Sequence, residues 1–133
     1  MQERINKELA LLRREYPDLE YRPDGRWVRI PAYTLPAGWS RETTAVAFDI
    51  PPEFPAGPPY GIYVPAGLTF NGQRPDNYTE PASKQPPFGG TWGVLSWTTV
   101  DGRWRATAEP DALRGCSLLS WVNGFADRFR DGK

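Results

Sequence analysis

Apolar positions near the start of the chain repeat with a helical period. In QERINKELALLRREY, residues 2–16, Ile5, Leu9, Leu12 and Tyr16 fall at i, i+4, i+7 and i+11, one face of an amphipathic helix. The opposite face carries Arg4, Lys7, Arg13 and Arg14, and Pro17 with Asp18 ends the pattern, because proline interrupts the helical hydrogen-bond ladder. From residue 19 the period shortens. LEYR, RWVRI, TAVAFDI and YGIYV read as extended segments separated by turn residues, among them the run from Pro23 to Gly25. Joined by short connections, these segments predict a four-stranded antiparallel meander. Helical spacing returns at the far end, where Leu118, Trp121, Val122, Phe125 and Phe129 fall at i, i+3, i+4, i+7 and i+11 within residues 111–131.

Two stretches fit neither period. In PPEFPAGPP, residues 51–59, five of nine residues lack a backbone donor, so the segment is a fixed loop or polyproline-like arm and not a central strand. Residues 71–91, NGQRPDNYTEPASKQPPFGGT, hold hardly any aliphatic side chain, and a loop of that length inside a compact domain is functional or mobile. After it, Gly93-Val94-Leu95-Ser96-Trp97 reads as a short apolar strand carrying one small hydroxyl before a turn. The order predicts a single α+β domain over residues 1–133 with its helices on one sheet face. Its parts are a helix in 1–18, a sheet with the proline-rich arm in 19–70, a long loop and strand in 71–104, and a closing helix in 111–131.

Composition narrows the function. At 133 residues the chain can bury one core without a disulfide or metal to hold it. Sixteen basic residues balance 16 acidic ones, so no long-range field draws the protein to nucleic acid, and the six tryptophans read as core, not as a base-stacking platform. A single cysteine, a charged N-terminal segment unlike a signal peptide, and no apolar run of about 18 residues predict a cytoplasmic protein with no membrane span. Histidine is absent, which rules out a Ser-His-Asp or Cys-His pair built from this chain. A zinc site would have Cys116 and carboxylates only, a poor donor set for that ion, so no metal is expected. The glycines of GTWG and PFGG lack the spacing and lysine of a phosphate loop, and no cofactor is expected either.

Several segments together resemble the ubiquitin-conjugating enzymes, in particular the divergent bacterial branch found beside ubiquitin-like modifiers. RINKELALLRRE resembles that family's first helix. FDIPPEFPAGPP resembles its strand and Tyr-Pro-x-x-Pro-Pro signature, with Phe54 replacing the tyrosine and Pro55, Pro58 and Pro59 matching. Counted on from Pro59, the family's His-Pro-Asn motif falls on Thr69, Phe70 and Asn71, where only the asparagine is retained. The family's cysteine strand, Gly-x-Ile-Cys-Leu, corresponds to Gly93-Val94-Leu95-Ser96-Trp97, with Trp104 eight residues beyond the serine. Serine stands where the cysteine should be. The loop between Asn71 and Ser96 is longer than usual, and the family's last two helices have no counterpart.

The resemblance implies a UBC-like fold in which Ser96 accepts the C-terminal carbonyl of a ubiquitin-like modifier from an activating enzyme, forming an oxyester. Asn71 would donate its amide near the reacting carbonyl, with Asn77 as substitute if the long loop folds back. Trp97 would lie at the binding surface, and Arg4, Lys7, Arg13 and Arg14 would dock the activating enzyme. A deconjugating peptidase is a further implied partner. For a base, Asp101 is close in sequence, Asp76 and Glu80 lie on the loop, and a partner could supply one instead. Cys116 is the rival nucleophile, since the first turn of a helix lowers a thiol pKa, though a cysteine beside Ala112 and Leu119 also fits a small buried residue. A serine on an apolar strand can equally bond its hydroxyl to backbone, leaving a noncatalytic module that binds the modifier or the activating enzyme.

Overall fold

The computed structural model describes residues 2–52, 54, 59, 61–75, 77–96 and 118–131. Helix α1, Gln2–Glu15, carries Glu3 in its first turn and Arg13 and Arg14 in its last, each the sign that the helix dipole favours at that end. Ile5, Leu9 and Leu12 are buried, as the spacing predicts. The chain leaves the helix through a turn in which the Leu19 N–H donates to the Tyr16 carbonyl.

Strands β1 (Glu20–Arg22), β2 (Trp27–Thr34), β3 (Thr43–Asp49) and β4 (Ile62–Pro65) follow as antiparallel neighbours, which is the expected meander. Strand β2 runs on through Pro31 because its register shifts between Ile30 and Tyr33, an irregularity of the kind that tolerates a residue with no N–H to donate. Two further strands, β5 (Tyr78–Thr79) and β6 (Trp92–Leu95), extend the sheet to six, in the order β1-β2-β3-β4-β6-β5. The strand expected at residues 93–97 is β6, and β5 was not expected because it is two residues long and lies in a segment with no alternation to read. Among the described residues, the closing helix is two pieces, α2 (Leu118–Asn123) and α3 (Phe125–Asp131), parted at Gly124. Residues 111–117 of the expected helix lie outside the described residues.

The sheet is buried on both faces. Against one face, α1, α2 and α3 set Ile5, Leu12, Trp121, Phe125 and Phe129 on Val28, Val46, Phe48, Ile62 and Leu95, each burial stabilising by about 1.5–3 kcal/mol. The Trp39 indole N–H donates to the Phe129 carbonyl at 2.8 Å, fixing α3 to the loop after β2. On the other face Trp27, Ala47, Tyr63 and Trp92 form a second cluster, covered by Ala82 and Phe88 of the long loop. Gln85 fastens that cover: its amide N–H groups reach the Ala82 and Trp92 carbonyls at 2.8 and 3.0 Å, and its oxygen accepts the Trp92 N–H at 2.8 Å. The helices lie on one face as expected, and the long loop packs on the face they leave. Among the described residues, no helix is long and apolar enough to cross a membrane.

Candidate functional site

Strand β6 is flanked by β4 and β5, and Leu95 at its end pairs with both Ile62 and Tyr78. Leu95 is fully buried, and Ser96, one position on, is exposed. The Ser96 backbone is held from two sides. Its N–H donates to the Asn77 carbonyl at 2.8 Å, and its own carbonyl accepts from Arg128 Nε at 3.2 Å. Arg128 is only 5% exposed, so a desolvated cation stands beside the Ser96 peptide. The sequence held one sign of this: Arg128 is seven positions after Trp121 and so falls on the buried stripe of the closing helix.

The long loop reaches Ser96 because β5 adds to β6. Gly93 makes this possible, since a Cβ there would stand 2.2 Å from the Tyr78 hydroxyl. That hydroxyl donates to Glu80 Oε1 at 2.7 Å, and the same carboxylate oxygen accepts the Gly67 N–H at 2.8 Å. These two bonds hold the Glu80 carboxyl below its usual range, while burial and the bond to Glu80 push the Tyr78 phenol up. Arg74 adds its guanidinium over the Tyr78 ring at 5.4 Å and reaches the Glu80 carbonyl at 3.4 Å. A carboxylate so engaged is a weak base, which removes Glu80 from the candidates for activating Ser96.

The two asparagines part company. Both adopt the left-handed region, φ 51° at Asn71 and 54° at Asn77, where asparagine is tolerated. Asn77 bonds directly to the Ser96 backbone. Asn71 belongs to a turn that crosses the loop after β2: its N–H donates to the Gly38 carbonyl at 2.6 Å, next to the pairing of Trp39 with Phe70. Asn77 is thus the asparagine in direct contact with Ser96.

Of the four cationic residues expected on the docking face, Lys7, Arg13 and Arg14 are exposed, and Arg4 is not. Arg4 is 2% exposed and ion-paired to fully buried Glu8, whose other oxygen accepts the Leu118 N–H at the start of α2. It is a core residue, misread because its charge outweighed its position eight residues before Leu12 on the inward stripe. Trp97, Asp101 and Cys116, with Asp76 of the loop, lie outside the described residues. Among the described residues, no cluster of three or more His, Cys, Asp or Glu side chains could hold a metal.

No protein-family profile, no curated protein and no solved structure matches this chain.

Proposed function

We propose that this chain is a cytoplasmic, ubiquitin-conjugating-enzyme-like carrier of UBC-like fold that accepts a ubiquitin-like modifier from an activating enzyme on Ser96. The observation that carries the reading is the exposure of Ser96 at the end of β6, with its backbone pinned between Asn77 and Arg128. A serine serving only to fill space would be buried as Leu95 is. In the reaction the Ser96 oxygen attacks the thioester carbonyl of the modifier, the C–O bond forms and the C–S bond breaks. The hydroxyl proton passes to a base and the thiolate of the activating enzyme leaves. Transfer from sulfur to oxygen is downhill. The oxyester then discharges slowly, because an alkoxide leaves less readily than a thiolate, so a donor to the developing oxyanion matters, with losses of about 100- to 1000-fold when one is removed. The Asn77 side-chain amide is the donor we assign, in place of Asn71, because the Asn77 backbone carbonyl accepts the Ser96 N–H and so keeps that residue beside Ser96. Lys7, Arg13 and Arg14 form the docking surface for the activating enzyme, and a deconjugating peptidase would reverse the product.

The engagement of Glu80 by Tyr78 and Gly67 favours a second reading, a noncatalytic module that binds the modifier or the activating enzyme. One experiment separates the two. Incubated with activating enzyme, modifier and ATP, the carrier yields an adduct that survives thiol reductant, is cleaved by hydroxylamine, and is lost in Ser96→Ala. Binding with no covalent species supports the module. A reductant-sensitive adduct lost in Cys116→Ser moves the site to Cys116.

A further inference from the structure

A second polar site lies away from Ser96, where the β1–β2 turn meets the end of β3. Its cavity, about 440 Å³, is lined by Pro23, Gly25, Arg26, Asp49, Ile50, Pro52 and Lys84. Arg26 occupies it at a conformational cost. Its φ is 54°, directly after Gly25 at φ 79°, so two successive residues are left-handed, which glycine accepts and a long L side chain resists. The backbone is locked there by two bonds: the Arg26 N–H donates to the Pro23 carbonyl at 3.1 Å, and the Arg26 carbonyl accepts the Ile50 N–H at 2.9 Å. Glycine or asparagine would make the same turn with less strain, so the turn geometry does not explain the arginine.

Its charge is also unanswered. Arg26 Nη1 is buried without a hydrogen-bond partner, and among the described residues no carboxylate pairs with the guanidinium. The Asp49 carboxylate on the cavity wall pairs instead with Lys84, Nζ to Oδ2 at 2.9 Å. Among the described lining residues, Arg26 and Lys84 against Asp49 leave one excess positive charge. Pro23, Gly25, Ile50 and Pro52 bring no side-chain charge. A cavity of this size falls in the range of small-ligand sites.

We propose that this cavity binds a monocarboxylate borne on a small aliphatic group, with the carboxylate on the Arg26 guanidinium and the aliphatic part against Pro23, Ile50 and Pro52. A free short-chain acid and the C-terminal residue of a polypeptide share that chemistry. The site is independent of acyl transfer at Ser96.

The test is titration of the full chain, followed by ¹H–¹⁵N NMR, with isovalerate, N-acetylvaline, N-acetylvalinamide and inorganic phosphate. Trp27 is a built-in reporter, because its indole packs on Gly25, where a Cβ would sit 3.0 Å from the ring. Both acids are expected to give saturable shifts at Gly25, Arg26 and the Trp27 indole N–H, and the uncharged amide none. Tighter binding of N-acetylvaline than of isovalerate identifies a polypeptide C-terminus as the source, and the reverse order a free acid. Arg26→Gly and Arg26→Asn both accept the left-handed backbone, and each should stay folded while weakening the acids at least ~10-fold, as expected for loss of a charge-assisted pair. Equal shifts from acid and amide, no saturable shift from either acid, undiminished binding in both variants, or tighter binding of phosphate than of either acid would each overturn the assignment.

Discussion

Glu8 shows how one side chain ties distant parts of this chain together. Fully buried, it pairs with Arg4 one helical turn earlier and accepts the backbone N–H of Leu118, joining α1 to the start of α2. Removing one member of a buried ion pair leaves the other charge without compensation, which costs about 3–5 kcal/mol. Urea denaturation of Glu8→Gln should show a loss of that size. Glu8→Gln combined with Arg4→Met should recover much of it, since an apolar replacement of the whole pair removes the buried cation that has lost its Glu8 partner. A double variant no more stable than Glu8→Gln would show that the Leu118 contact, and not the pair, carries the energy. The sequence showed the apolar stripe of α1 and hid this pair, because Arg4 and Glu8 sit on the inward face but read as solvent residues by charge.

At the level of elements, the addition of β5 to β6 is what brings the long loop beside Ser96. Gly93 lets the Tyr78 ring lie across β6. Gly93→Ala should therefore push Tyr78 away, destabilise the fold by about 1–3 kcal/mol as overpacking does, and speed hydrogen exchange of the Ser96 amide, whose acceptor is the Asn77 carbonyl. Adding Tyr78→Ala removes the clash, so the double variant should be less destabilised than the two single effects added together. The strand expected at residues 93–97, found at 92–95, was legible as a short apolar run, and the meander from its extended segments and turn residues. The pairing of β5 was not, because two residues carry no period and the tyrosine and glycine that specify it are 15 positions apart. The split of the closing helix at Gly124 was equally faint, since its buried positions keep helical spacing across the break. Near Ser96, the contact with Asn77 was legible only as the expectation that the long loop could fold back. Arg128 and the Tyr78–Glu80 pair were not, because they come together only when the loop and α3 pack on β6.

The whole molecule is a sheet covered by helices on one face and by a proline- and glycine-rich loop on the other. The loop's composition gave no hint of this role, since Ala82 and Phe88 are its few apolar anchors and Gln85 does the fastening. Alkaline pH should reveal how the helix side is closed. Burial, with the neighbouring Tyr16 adding to it, pushes the Tyr33 phenol from 10.0 up to about 12. The folded state then keeps a proton that the unfolded chain gives up, so this contribution to stability is complete below pH 10 and is lost as pH rises toward about 12. Tyr33→Phe should flatten the decline in unfolding free energy across that window, and an unchanged slope would remove Tyr33 as its cause. Acyl transfer at position 96 is tested most directly by changing the atom that would carry the modifier. In Ser96→Cys the adduct should become cleavable by thiol reductant, while the adduct of the unaltered protein resists it. If both adducts respond to reductant in the same way, the modifier is bonded elsewhere and Ser96 is not its carrier.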